Sequence, residues 1–148
     1  MEAISSPYDY NDPSLSESGL KEIRVKDAPQ AIGKGDSFKA GDFAGLLWKS
    51  DSSLYPIARR IESMPENERD ILKLAIDSSQ ISPDQYDKDP SKGLYYLVSS
   101  YGVPIAWLTN NGEIFRTGVR YSEATAKHVT LALQGLNLLV AKLKLNIS

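Results

Sequence analysis

SYGVPIAWLTNNGEIFRTGVRYSEATAKH, running from Ser100 to His128, decides how this chain folds. Within it, VPIAWLT (Val103–Thr109) is dense in aliphatic and aromatic residues that favour a pleated, half-buried surface, so it reads as a strand. Asn110-Asn111-Gly112 follows, and these residues tolerate the positive φ of a hairpin turn. EIFRTGVRY (Glu113–Tyr121) then predicts the return strand, with Gly118 as a bulge. Immediately upstream, LYYLVSS (Leu94–Ser100) predicts another strand, with Tyr95 and Leu97 on one face and Leu94, Tyr96 and Val98 on the other. Pro104 lacks an N–H for a ladder, which suits an edge or a strand start. Connections this short predict antiparallel pairing.

A helix leaves the end of this stretch. Ser122 suits its N-cap and Glu123 its positive dipole end. Val129, Leu133, Leu136, Val140 and Leu143 recur at helical spacing, with Leu139 on the flank, so the helix should run from about Glu123 to Leu143 and cover one sheet face. Gly135 inside it costs about 1 kcal/mol relative to Ala, which close packing against the sheet would explain.

Further towards the N-terminus, SDSSLYPIARRIESM predicts a helix entered at Ser52 or Ser53 and broken by Pro65. PENERDILKLAIDSS predicts its partner, with Ile71, Leu72, Leu74, Ala75 and Ile76 as the buried stripe. SPDQYDKDPSKG (Ser82–Gly93) reads as a loop. Its aspartates at 84, 87 and 89 lack the glycine and terminal glutamate of a calcium loop. IGKGDSFKAGDFAGLLWK (Ile32–Lys49) has four glycines but no Gly-Lys-Ser/Thr ending, so it is read as turns around Phe38, Phe43, Leu46, Leu47 and Trp48 rather than a phosphate loop. Leu20–Ala28 fits a short edge strand or a helical turn equally. Residues 1–20 read as a flexible, polar tail and residues 21–148 as one domain. The expected fold is α+β: a small antiparallel sheet of three or four strands packed against a long C-terminal helix, with an additional helical pair.

Composition narrows the chemistry. At 148 residues the chain suffices for one hydrophobic core. It has no cysteine and one histidine, which excludes disulfides, thiol nucleophiles, zinc fingers and multi-histidine metal sites within one chain. No cofactor and no metal is expected. No apolar run is long enough to span a bilayer, and the N-terminus has no secretory pattern, so a cytoplasmic protein without membrane contact is expected. Residues 1–90 hold 11 Lys+Arg against 17 Asp+Glu, whereas residues 91–148 hold 6 against 2. The C-terminal part is therefore the cationic one.

The patterns Ser100-Tyr101-Gly102-x-Pro104-Ile105-Ala106-Trp107 and Arg120-Tyr121-Ser122-x-x-Thr125-x-Lys127-His128 resemble those of a family of small proteins carried by phages and other mobile elements. That family's usual signature is S-Y-x-T-P-I-A-x followed by Y-S-x-T-T-S-K-H at a helix start. Its upstream F-x-x-G-[ND]-x-x-G element is matched by Phe38, Gly41, Asp42 and Gly45. The chain departs at Val103, where Thr is usual, and at Ala124 and Ala126, where Thr and Ser are common. The resemblance implies provenance from a mobile element and no particular reaction.

Candidate binding residues cluster where strand meets helix: Tyr101, Trp107, Arg116, Arg120, Tyr121, Ser122, Thr125, Lys127 and His128. A helix start with free N–H groups, hydroxyls, an ammonium and an imidazole suits an anion. Arg116 and Arg120, an even number apart, would share a strand face, and Tyr101 and Trp107 would offer stacking. Ser122 and His128 stand six positions apart and do not face each other as nucleophile and base. The leading expectation is a non-enzymatic accessory protein that occupies a surface of a host or viral protein, in its most concrete form an inhibitor of a host defence system of the anti-CRISPR kind. A nucleic-acid-binding accessory protein is the first alternative and a small hydrolase centred on His128 the second.

Overall fold

The computed structural model describes residues 20–51, 61–79 and 92–147. The expected tail up to residue 19, most of the first expected helix and most of the loop after Ser82 lie outside them. The described residues form an α+β fold whose centre is one antiparallel sheet of five strands in sequence order. These are β1 (Phe38–Ala40), β2 (Phe43–Leu47), β3 (Leu94–Ser100), β4 (Val103–Thr109) and β5 (Ile114–Arg116). The helices are α1 (Ala28–Lys34), α2 (Trp48–Asp51), α3 (Glu66–Ser79) and α4 (Glu123–Ile147). Among the described residues no helix is long and apolar enough to cross a membrane.

The sheet has more strands than expected because the glycine-rich segment is itself a hairpin. Ala40 pairs with Phe43 across Gly41-Asp42, and Gly41 takes φ +62° at the first central position, as a type II′ turn requires. Gly45 lies within β2 and Gly35 ends α1, so the glycines do not all make loops. Lys21–Ile23 lies along the free side of β1 through one parallel bridge, Glu22 to Lys39, flanked by Ile23 N–H to Lys39 O (2.9 Å) and Lys39 N–H to Lys21 O (2.8 Å). Both readings of Leu20–Ala28 therefore have a share, since a 3₁₀ turn at Val25–Asp27 follows.

Two cores sandwich the sheet. On one face Phe38, Phe43, Tyr96, Val98, Ile105 and Leu108 meet Val129, Ala132, Leu136 and Leu139 of α4 and Ala28 and Ile32 of α1. On the other, Leu94, Leu97, Val103 and Trp107 meet Trp48, Met64, Leu72 and Ala75. Every residue of β4 is buried, as a strand covered on both faces demands. Register shifts between Leu94 and Tyr96 and between Val98 and Ser99 break the expected alternation and put Leu94 and Tyr96 on opposite faces. Pro104 stands at the start of β4, before β5 begins to pair at Ala106.

The return strand is much shorter than the run Glu113–Tyr121 suggests. It ends at Arg116: Thr117 N–H still donates to Ile105 O at 2.8 Å, but the N–H groups beyond it have other partners. Gly118 N–H goes to Glu68 Oε2 at 2.9 Å and Val119 N–H to Thr117 Oγ1 at 3.1 Å. Gly118 is thus a fastening to α3 rather than a bulge. On α3 the stripe narrows to Leu72 and Ala75 with Ile76 half-buried, while Ile71 and Leu74 are exposed.

Gly135 answers to a helix, not to the sheet. A Cβ there would stand 2.5 Å from Ile32 Cβ, and one on Gly33 would stand 3.0 Å from Leu138 Cβ. The two glycines let α1 and α4 touch backbone to side chain in both directions. Gly135→Ala should lower stability by about 1–3 kcal/mol, as overpacking does, despite the roughly 1 kcal/mol helix-propensity gain. Urea unfolding checks this, and Ile32→Ala should not rescue it, because alanine keeps the Cβ that stands nearest.

Candidate functional site

α4 begins as its sequence dictates. Ser122 Oγ accepts from Thr125 N–H at 3.1 Å, and Ser122 O accepts from Ala126 N–H at 2.9 Å. Thr125 and His128, three residues apart, face the sheet from the first turns of α4, and Ser122 caps the helix just before them. There they find Ser100, the last residue of β3. Ser100 Oγ lies 2.7 Å from His128 Nδ1 and 3.2 Å from Thr125 Oγ1, and Ser122 Oγ lies 3.2 Å from Thr125 Oγ1. Four side chains thus form one hydrogen-bonded chain from helix cap to imidazole.

The ring of His128 is enclosed. Phe43 stacks on it at 4.5 Å with planes 6° apart, and Tyr101 lies 6.2 Å away at 27°. Tyr101 and Gly102 form the β3–β4 turn with φ +53° and +78°, a type I′ hairpin in which the first position is strained for any residue with a Cβ. Tyr101 N–H donates to Asp42 O at 2.7 Å, joining the tips of two hairpins over the ring. His128 is 8% exposed and Ser100 1%. Burial pushes the imidazole below its ordinary pKa of 6.5, and the nearby Asp42 charge opposes only part of that.

The expected site residues therefore divide into separate places. Ser122, Thr125 and His128 come together, with Tyr101 above them. Ser122 and His128 do not touch, as their spacing indicates, but Thr125 and Ser100 link them. Sequence reasoning overlooked Ser100. The signal was present: Tyr96 and Val98 face α4, so Ser100 at the same parity must, and a polar group buried there needs a partner.

Arg116 and Arg120 stand elsewhere, at the open side of the sheet. Arg120 lies beyond the end of β5, so the two do not share a strand face. The turn back towards α4 brings them around one shallow cavity of about 260 Å³, also lined by Gly118, Val119, Val129 and Thr130. Both are exposed, and neither pairs with a carboxylate among the described residues. Lys127 is exposed on α4 and is not part of that lining.

Trp107 and Tyr121 belong to the opposite face. Trp107 is fully buried and stacks with Phe115 at 5.6 Å, which leaves no ring face for a ligand base. Its Nε1–H has no hydrogen-bond partner among the described residues. Tyr121 packs beside α3; burial, aided by the Glu68 charge and opposed by a Thr117 hydrogen bond, raises its phenol above the ordinary 10.0. Among the described residues no three His, Asp or Glu side chains are placed to share a metal ion.

Two outcomes follow from the enclosed imidazole. The folded state holds His128 neutral with a lowered pKa, so the unfolded chain binds the extra proton. Stability attributable to His128 is fully present above pH 6.5 and falls as pH drops from there towards the folded pKa. His128→Gln should flatten that segment of a stability–pH curve measured by thermal unfolding. Ser100→Ala strands the imidazole Nδ1, while Thr125 Oγ1 keeps Ser122 Oγ, and should cost about 1–3 kcal/mol by urea unfolding.

Comparison with protein-family models, with curated proteins and with solved structures finds no match to this chain.

Proposed function

We propose that this chain is a non-enzymatic accessory protein that acts by binding a host or viral protein, with Arg116 and Arg120 as its main contact residues. One contrast carries the reading. The two arginines are exposed, unpaired with carboxylates among the described residues and gathered around a cavity, whereas the Ser100–His128 pair is enclosed. A guanidinium pair of this kind suits carboxylates on a partner surface, where Arg forms forked hydrogen bonds. A hydrolase built on His128 would need Ser100 to reach a substrate, and at 1% exposure it has no approach.

The resemblance to mobile-element proteins supports a partner in the host cell, and inhibition of a host defence system in the cytoplasm is the most concrete form of the proposal. Nucleic-acid binding is the second reading, favoured by the excess of Lys and Arg over Asp and Glu in residues 91–148, 6 against 2.

Quantitative capture from host lysate, run side by side with the wild-type chain and Arg116→Glu/Arg120→Glu, tests the first reading. The expected result is a protein retained by the wild type and lost by the variant, with unchanged thermal unfolding. Retention on DNA or RNA at about 50 mM salt that disappears steeply as salt rises, and disappears in the same variant, would instead select the second reading.

A further inference from the structure

We infer that the open edge of β5 accepts an extended segment of a partner protein as a sixth strand, and that this segment carries carboxylates on alternate residues. The inference rests on the reading that Arg116 and Arg120 contact a protein, and it specifies how. Among the described residues β5 is the last strand of the sheet and pairs only with β4. Thr109 N–H donates to Glu113 O and Thr117 N–H to Ile105 O, so residues 113, 115 and 117 turn their backbone groups inward. Antiparallel alternation then turns the N–H and C=O of Ile114 and Arg116 outward. These groups have no protein partner among the described residues. They are the template that strand addition uses.

The side chains set the pattern of the guest. Arg116 pairs with Ala106, which belongs to the α4-side core, and Ile114 packs on that same core. Phe115 packs on the α3 side and is only partly buried. An added strand alternates in the same way. Its residue opposite Arg116 and the next one on that face, beyond the end of β5, would lie at the cavity shared by the two guanidiniums, where a carboxylate is the complementary group. Its intervening residues would lie beside Phe115, where an apolar side chain covers exposed ring. The guest is therefore an acidic–apolar alternating segment, not a helix and not a nucleic acid.

The test uses a labelled, capped peptide of alternating valine and glutamate, a second with the same composition but its acids in one block, and a third N-methylated at its central residues. Fluorescence anisotropy should show the alternating peptide binding the whole chain, with Arg116→Ala/Arg120→Ala weakening it about tenfold or more and both control peptides weaker by a similar factor. Hydrogen exchange should show new protection at the Ile114 and Arg116 amides. Equal binding of the N-methylated peptide, still dependent on the arginines, would overturn strand addition while leaving arginine-mediated protein binding in place. Binding that survives loss of both arginines would overturn both. A single-stranded oligothymidine that binds and displaces the peptide at physiological salt would overturn the choice of a protein guest.

Discussion

The bond between Ser100 Oγ and His128 Nδ1 fixes where the long helix meets the sheet. Through Thr125 it continues to Ser122, the residue that caps α4. Because the cap is tied to the end of β3, the chain leaving β5 has a set distance in which to return to α4. That return places Arg120 beside the same cavity as Arg116 instead of farther along a strand. A buried polar chain thus positions an exposed cationic corner. Ser100, Thr125 and His128 are buried, so each is costly to leave unpaired.

A second fastening acts from the other face. Glu68 of α3 takes Gly118 N–H, and Tyr121 reaches Ser63 O at 3.4 Å. These contacts hold Gly118 and Tyr121 towards the α3 side just after β5 ends, which keeps that strand short, while Val119 and Arg120 line the cavity beside α4. Short edge strands with charged residues are a common protection against unwanted pairing. Here Arg116 ends β5 and Arg120 lies just beyond it, while Glu113 precedes the strand, so under the strand-addition proposal the Arg116 end of the edge would favour an acidic guest.

Much of this was legible in the sequence where local chemistry and pattern agree. The Asn110-Asn111-Gly112 turn, the Ser122 cap, the long helix and the α+β class all follow from residue types at fixed spacing. The β1–β2 hairpin was missed because its strands are short and its glycines suggest loops; only the partner strand β3 makes Phe38–Leu47 extended. The length of β5 was overestimated because its end is set by Glu68, fifty positions away in sequence. The alternation in β3 failed at register shifts that composition does not reveal. Of the site, the sequence placed Ser122, Thr125 and His128 at one helix start but did not show Ser100 as their hub. It also drew Trp107 towards the surface, although its ring completes the second core.

The account turns on His128 being an enclosed structural base and not a solvent-facing reactive one. Its imidazole ¹⁵N shifts, followed by NMR from about pH 8 to about pH 5, report this directly because the chain has one histidine. The expected midpoint lies below 6.5 and rises towards 6.5 in a folded Tyr101→Gly chain, which uncovers the imidazole ring. A wild-type midpoint at or above 6.5, unchanged by Tyr101→Gly, would contradict an enclosed imidazole.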